Sequence, residues 1–473
     1  MDLKRTKIVA TLGPASSSVE VLKEMYYKGL NVCRINFSHG DHSIHGDNIK
    51  RVKQVNEELH SNIAVLADLQ GPKLRVGEMK DGGCEITNGD EIIFTNEECE
   101  GTSQKVFMTY QNFAQDVQPG ELILIDDGKL AVRVKSSNGT NEVVAIVEHG
   151  GILKSKKGVN LPNTKISLPS LTEKDKEDLE YILTQDVEWV ALSFVRSAKD
   201  IIELRELIEA AGKNLKIIAK IEKPEAIDDI DAIVNETDAI MVARGDLGIE
   251  VPYQDVPLLQ KMMVKKCLKA SKPIIVATQM MESMIDGITP SRAEVNDVAN
   301  AVMDGADAVM LSGETSVGKH PGLVVETMSN IIKKVEEYDD IYNHDYLPIY
   351  REERFISDNI CTSAVNLAES VNAKAIITMT VSGYTARKIS SQRPRAFTYV
   401  YTRNKAILNM LNLVWGVQAV YYDDSSSTDK NIDDIRESLV EKGAIKKGDF
   451  FINIASMPIE AKGKTNTLKL SQA

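Results

Sequence analysis

Apolar positions in this chain follow two rhythms, and the switch between them divides it. At first, short β-branched runs alternate with amphipathic stretches. TKIVATLG (6–13), LNVCRINFS (30–38) and NIAVLADLQ (62–70) read as strands, with helices through SVEVLKEMYYKG and near 43–60. After Gly71-Pro72 the rhythm breaks. Residues 71–166 hold short strand-like pieces (LRVG, CEIT, EIIFT, ELILIDDG, LAVRVKS, EVVAIVEHG) parted by Gly, Asn and Asp turns, with no helical pattern between them. Alternation resumes at LTEKDKEDLEYILTQ, a helix that Thr172 is placed to cap. Strands follow at 189–195, 215–222, 239–245, 273–279 and 308–315. That makes about eight strand–helix units, the count of a TIM barrel. The expected architecture is an α/β (βα)8 barrel over 1–70 and 167–340, with an all-β barrel domain (71–166) inserted after the third strand. A separate α/β domain follows over 341–473, with strands at AIITMT, AFTYVYT, VQAVYYD, FFINIAS and TNTLKLS. An open doubly wound sheet is the alternative, but nothing resembles GxGxxG.

Composition narrows the partners. A chain of 473 residues exceeds one ordinary core, and 43% hydrophobic with 26% charged residues is a soluble globular balance. A net charge of −13 argues against nucleic acid or an anionic membrane as a partner, so a polyanionic ligand needs a local basic pocket. Five scattered cysteines without CxxC spacing argue against a disulfide framework or zinc site and fit a reducing cytoplasm. No signal-like segment opens the chain and no apolar run reaches the roughly 18 residues of a membrane helix. A cytoplasmic protein is expected.

The chemistry concentrates at strand ends. Lys220 and Glu222 in KIIAKIE are two apart and share one face of a strand, and the next strand runs into Arg244-Gly245-Asp246-Leu247-Gly248. A lysine and two carboxylates beside a Gly-flanked turn suit a divalent metal holding a phosphorylated acid. Hard oxygen donors without His or Cys favour Mg²⁺ or Mn²⁺. Free N–H groups around Gly245 and Gly248 suit a carboxylate or phosphate. Arg34, Asn36 and Ser38 alternate at the end of the second strand. Asp68 tips the third, with Lys73 and Arg75 just beyond, forming a basic pocket in an acidic protein. Thr278, Gln279 and Ser312 to Thr315 close the set. An ion pair between strands is the alternative for Lys220 and Glu222, although burying such groups without a purpose is costly.

These segments resemble the pyruvate kinase family over essentially the whole chain: TKIVATLGPAS, NVCRINFSHG, LADLQGPKLRVG, LPSLTEKD, AKIEKPEAI, MVARGDLGIE, VATQMMESM, SRAEVNDVANAV and LSGETSVGKHP occur in family order and spacing. The resemblance implies transfer of a phosphoryl group from phosphoenolpyruvate to ADP, at the last step of glycolysis. It further implies that Arg34 contacts the phosphoryl group, that Lys220 stabilises the transition state and that Glu222 and Asp246 hold Mg²⁺. Gly245, Asp246 and Thr278 would bind the substrate carboxylate. Asn36, Phe37, Ser38, His39 and Arg75 would face the nucleotide. The β domain would be a lid that closes over the barrel mouth, and the assembly a homotetramer. Thr278 and Ser312 are candidates for a water-mediated proton relay to the enolate.

Many family members hold K⁺ at positions matching Asn36, Ser38, Asp68 and the carbonyl of Leu69, and carry Glu where this chain has Lys73. The string Asp68 to Val76 resembles the K⁺-independent subgroup, because a tethered ammonium can supply the charge K⁺ brings. Thr380, Ser382, Gly383 and Thr385 resemble the family's effector loop. The last loop, SMPIEAKGKTNT, lacks the Trp and Arg that often bind a second phosphate, so a sugar monophosphate or AMP is the expected effector. Ser197 follows Arg196 where relatives often carry Lys. Two rivals stand beside this reading: a Mg²⁺-dependent lyase or mutase on the same barrel, and a catalytically silent metabolite sensor.

Overall fold

Eight parallel strands close into a barrel in the computed structural model, which describes residues 3–344, 353–423, 428–457 and 464–473. They are β1 (Lys7–Thr11), β2 (Val32–Asn36), β3 (Ala64–Asp68), β4 (Trp189–Leu192), β5 (Lys216–Ile221), β6 (Ala239–Ala243), β7 (Ile274–Ala277) and β8 (Ala308–Leu311), each paired to its neighbours in sequence, with β8 returning to β1. β1, β3, β4, β6, β7 and β8 are buried at every position, as strands covered on both faces must be. Their outer sides pack against the helical ring and their inner sides fill the barrel. Thr172 does cap the helix Glu173–Thr184, in a reciprocal box with Asp175.

Several strands stop sooner than the apolar runs suggest. β6 ends at Ala243, and Arg244 already begins a short helix to Glu250. β7 ends at Ala277, leaving Thr278 (φ 70) and Gln279 (φ 53) in left-handed backbone. Polar groups therefore leave the strands and turn across the mouth.

Residues 71–166 form a six-stranded sheet and a two-stranded ribbon around their own apolar core. One short helix, Phe113–Asp116, lies among them, where the sequence pattern showed none. The LRVG segment forms no ladder of its own. Instead it stitches the two sheet edges together: Arg75 bridges Gly158 and Val76 bridges Met108. Arg75 thus sits at the seam.

The C-terminal sheet has the order Val417–Tyr421, Phe397–Thr402, Ala375–Met379, Phe450–Ala455, Thr467–Gln472, parallel except for its last strand. It is less separate than the composition suggests. Leu411, Leu413, Val414 and Val417 belong to the same apolar cluster as Val9, Leu66, Met241 and Met310 inside the barrel. This domain closes the barrel base.

Candidate active site

The register sets Asn36 beside Asp68, and Asp68 beside Ala191, so the tips of β2, β3 and β4 lie level. Arg34 donates through Nε to Asp68 Oδ2 at 2.6 Å and through Nη1 to Thr11 Oγ1 at 2.9 Å. Lys220, from β5, places its ammonium 3.3 Å from Asp68 Oδ1 and 3.1 Å from Glu222 Oε1, and donates to Ser193 Oγ at 2.6 Å. Glu222 Oε2 accepts the Phe194 N–H at 2.7 Å. Burial pushes the Asp68 carboxyl up, but the Lys220 and Arg34 charges overcome it and hold the group below the usual carboxylate range. Burial likewise works against the Lys220 ammonium, and Asp68 and Glu222 more than offset it. Glu222 is the strained partner. Burial pushes its carboxyl up, nearby Asp246 adds to this, and Lys220 is shared with Asp68.

Asp246 sits in the first turn of the Arg244–Glu250 helix, half-buried, and makes no hydrogen bond or ion pair with the described residues. Its neighbour Gly245 is already committed, donating its N–H to Thr278 Oγ1 at 2.8 Å, while that hydroxyl donates to the Ala277 carbonyl at 2.6 Å. Arg244 grips Asp297 with both Nη atoms at 2.6 and 2.7 Å and donates to the Thr278 carbonyl at 2.7 Å, which holds the left-handed turn in place. Two oxygen-donor side chains, one with no partner of its own, fit a hard divalent cation that takes its other ligands from substrate and water. No group of three or more His, Cys, Asp or Glu able to hold a metal occurs among the described residues.

Comparison with known proteins shows which family the chain belongs to. The family model for the pyruvate kinase barrel domain matches residues 3–325, and that for the pyruvate kinase alpha/beta domain matches residues 358–471. The chain belongs to the pyruvate kinase family. It is 41% identical over 472 residues to a pyruvate kinase of Geobacillus stearothermophilus, covering 99% of this chain and 80% of that one. With a pyruvate kinase of Corynebacterium glutamicum it shares 43% identity over 465 residues, covering 98% and 97%. The crystal structure of a pyruvate kinase from Cryptosporidium parvum superposes with a TM-score of 0.93 at 34% identity, covering 99% of this chain and 96% of that one. The activity is therefore phosphoryl transfer from phosphoenolpyruvate to ADP, giving pyruvate and ATP. The lyase or mutase and silent-sensor readings fall with that finding.

In this pyruvate kinase the remaining predicted residues divide between the mouth and elsewhere. His39 lies among cations: burial lowers its pKa, and Lys73, Arg75 and Arg34 lower it further, so the ring is neutral near pH 7. Arg75 donates to the Lys156 carbonyl at 2.8 Å across the insert seam. Lys73 lines a cavity with Asp127, Asn160, Lys223, Asp246 and Glu250. Asn36 accepts the Ser38 N–H at 3.1 Å. The Phe37 ring does not reach the mouth. It is 2% exposed and packs on His45, and its N–H and carbonyl are engaged by Asp68 and Lys174. The Ser312 hydroxyl makes no hydrogen bond with the described residues, while its N–H donates to Glu314 Oε2 at 2.6 Å. The effector-loop residues lie in the C-terminal domain, around the start of the Tyr384–Ser390 helix. Gly383 (φ 75) donates to Thr380 Oγ1 at 3.1 Å, and buried Thr385 lies 3.3 Å from Thr465. Residues 458–463 of the SMPIEAKGKTNT loop lie outside the described residues.

The sequence reading passes over Ser193, Arg244, Asn160 and Glu250. Ser193 carries the same signal as Thr278 and Ser312, a hydroxyl at a strand tip. Asn160 and Glu250 show none, because their 3.0 Å hydrogen bond joins segments 90 residues apart.

Proposed function

We propose that Arg34 and Lys220 carry the phosphoryl transfer, with Glu222 and Asp246 holding Mg²⁺ (or Mn²⁺). One observation carries this reading: a buried Lys220 ammonium held among Asp68, Glu222 and Ser193 at the level of Arg34. A fixed ammonium and guanidinium, positioned before substrate arrives, stabilise charge that spreads over phosphoryl oxygens without reorganisation during reaction. The metal, once bound, would neutralise charge on phosphate and carboxylate oxygens. Thr278 and the Gly245–Asp246 backbone receive the substrate carboxylate, the Gly245 N–H exchanging its bond to Thr278 Oγ1 for one to the ligand. Asn36, Ser38, His39 and Arg75 face the nucleotide, with Phe37 supporting them from below. Thr278 and Ser312 are the relay candidates, and the uncommitted Ser312 hydroxyl favours its taking a bridging water.

The insert, residues 71–166, acts as a lid over the mouth, the barrel spans 1–70 and 167–340, and 341–473 forms the regulatory and oligomerising domain. The Asn160–Glu250 hydrogen bond supports a closing role for the lid.

The enzyme works without K⁺. Three of the four groups that would ligate K⁺ already have partners: Asp68 has Arg34 and Lys220, the Leu69 carbonyl accepts from Ser193 at 2.7 Å, and Asn36 accepts from the Ser38 N–H, while the Ser38 hydroxyl makes no hydrogen bond with the described residues. Lys73 supplies a tethered positive charge at the same mouth. A sugar monophosphate or AMP binds at Thr380, Ser382, Gly383 and Thr385, the assembly is a homotetramer and its place is the cytoplasm. In support of the last, all five cysteines are free and no helix among the described residues is long and apolar enough to cross a membrane.

The test is ADP-dependent pyruvate formation in tetramethylammonium buffer with Mg²⁺, at subsaturating phosphoenolpyruvate, with phosphorylated effectors added in turn. Full rates without K⁺ and activation by a monophosphate are expected. Collapse restored by K⁺ overturns the cation reading, and activation by fructose 1,6-bisphosphate alone overturns the effector reading.

A further inference from the structure

We propose that Ser193 is a positioning residue for Lys220, setting where the catalytic ammonium stands. This rests on the role given to Lys220 above. Ser193 lies one residue past β4, 1% exposed. Its hydroxyl is 2.7 Å from the Leu69 carbonyl, which can only accept, and 2.6 Å from Lys220 Nζ, which can only donate. The direction of both bonds follows: the one hydroxyl proton goes to Leu69 and a lone pair faces the ammonium. Three oxygens then surround the ammonium: the Ser193 hydroxyl, which takes its hydrogen bond, and the Asp68 and Glu222 carboxylates, which pair with its charge, and the neutral one is nearest.

A neutral acceptor does what a third carboxylate would not. It fixes the ammonium in space without cancelling more of the charge that the phosphoryl oxygens must feel. Of the three contacts, Glu222 is the group assigned to the metal. Ser193 and Asp68 are the anchors that stay in place when ligands bind.

The surrounding backbone is shaped for this placement. Gly71 has φ 70, and a Cβ there would fall 2.9 Å from the Ser193 Cβ and 2.8 Å from the Phe194 ring, so the β3–insert loop is kept bare where Ser193 approaches. Phe194 adopts φ 54, unusual for a bulky side chain, and its N–H thereby meets Glu222 Oε2. The Ser193–Phe194 turn therefore orients both the ammonium and a metal-side carboxylate. Ser170 Oγ holds it from outside, donating to the Phe194 carbonyl at 2.9 Å.

Steady-state kinetics of the full-length enzyme with Mg²⁺ test this through Ser193→Ala, Ser193→Cys and Lys220→Met. For Ser193→Ala, kcat should fall about 10- to 100-fold, the size of one lost hydrogen bond to a charged group, while each KM changes less than about threefold. Ser193→Cys keeps the shape with a much poorer acceptor, so it should show the same split even if the alanine variant folds poorly. The Ser193→Ala change should cost little further activity in a Lys220→Met background. Wild-type kcat in Ser193→Cys alongside an inactive Lys220→Met would overturn the positioning role alone. Wild-type kcat in Lys220→Met would instead remove the reading of Lys220 on which it rests.

Discussion

The two ends of the barrel bury similar charges and finish them differently. At the base, Asp307 accepts four hydrogen bonds: two from Arg393, at 3.3 and 3.0 Å, and one each from the N–H groups of Trp415, at 3.2 Å, and Ile274, at 3.1 Å. Arg393 is 1% exposed, and Lys7 is sealed nearby with its ammonium on the Val417 carbonyl. At the mouth, the Asp246 carboxylate makes no hydrogen bond or ion pair with the described residues, burial and Asp246 push the Glu222 carboxyl up against the pull of Lys220, and Phe194, Thr278 and Gln279 hold left-handed backbone. A buried carboxylate with its hydrogen bonds complete is inert. One left incomplete takes a ligand. The C-terminal domain makes the difference at one end by covering it.

The contrast can be broken at either end. Lys220→Met should lower kcat by at least about 10²–10³-fold, comparable to losing a preorganised donor to the transition state, while circular dichroism shows the fold kept and the thermal midpoint drops because Asp68 and Glu222 lose their shared cation. Asp307→Asn should do the reverse: leaving the buried Arg393 charge uncompensated costs about 3–5 kcal/mol in a urea titration, with kcat per folded molecule unchanged. A large loss of kcat in that variant would mean the ends are not independent. Asp246→Asn should raise the Mg²⁺ concentration for half activity by on the order of 10- to 100-fold and leave folding stability within about 0.5 kcal/mol, since the group has no partner to lose.

The remaining effect is a pH dependence at the base. Burial lowers the Lys7 pKa to about 8, although Glu336 and Asp307 pull it back up. The folded state then binds fewer protons at Lys7 than the unfolded chain, whose lysines titrate near about 10.4, so the Lys7 contribution to stability rises as pH goes from about 8 toward 10. Unfolding free energies of wild type relative to Lys7→Met, measured across that window, should climb with pH. A flat difference would show that Lys7 is no more burdened than a surface lysine.

Much of this is legible in the sequence. The alternation of strand and helix, the break after Gly71-Pro72 and the capped helix at Thr172 are local signals, so the barrel and its insertion could be read from them. Arg34, Asp68, Lys220, Glu222 and Asp246 could be found because a parallel barrel gathers its strand ends at one mouth. Phe37 could not be sorted from its neighbours Asn36 and Ser38, since alternation marks a face but not whether a turn carries the next ring beneath the site. Ser193 does not stand out in the sequence for a related reason: a strand-tip hydroxyl is usually a cap, and its meaning depends on what stands 2.6 Å away.

By itself, then, the sequence determined the order and kind of elements and the chemical identity of the groups at each strand end, because backbone preference and side-chain alternation act within a few residues. Only the tertiary structure decided which buried carboxylates are complete and which are open. That depends on partners far apart in the chain, as with Asp307 and Arg393 at the base, Asn160 and Glu250 at the mouth, and the C-terminal domain whose apolar residues run on into the barrel core.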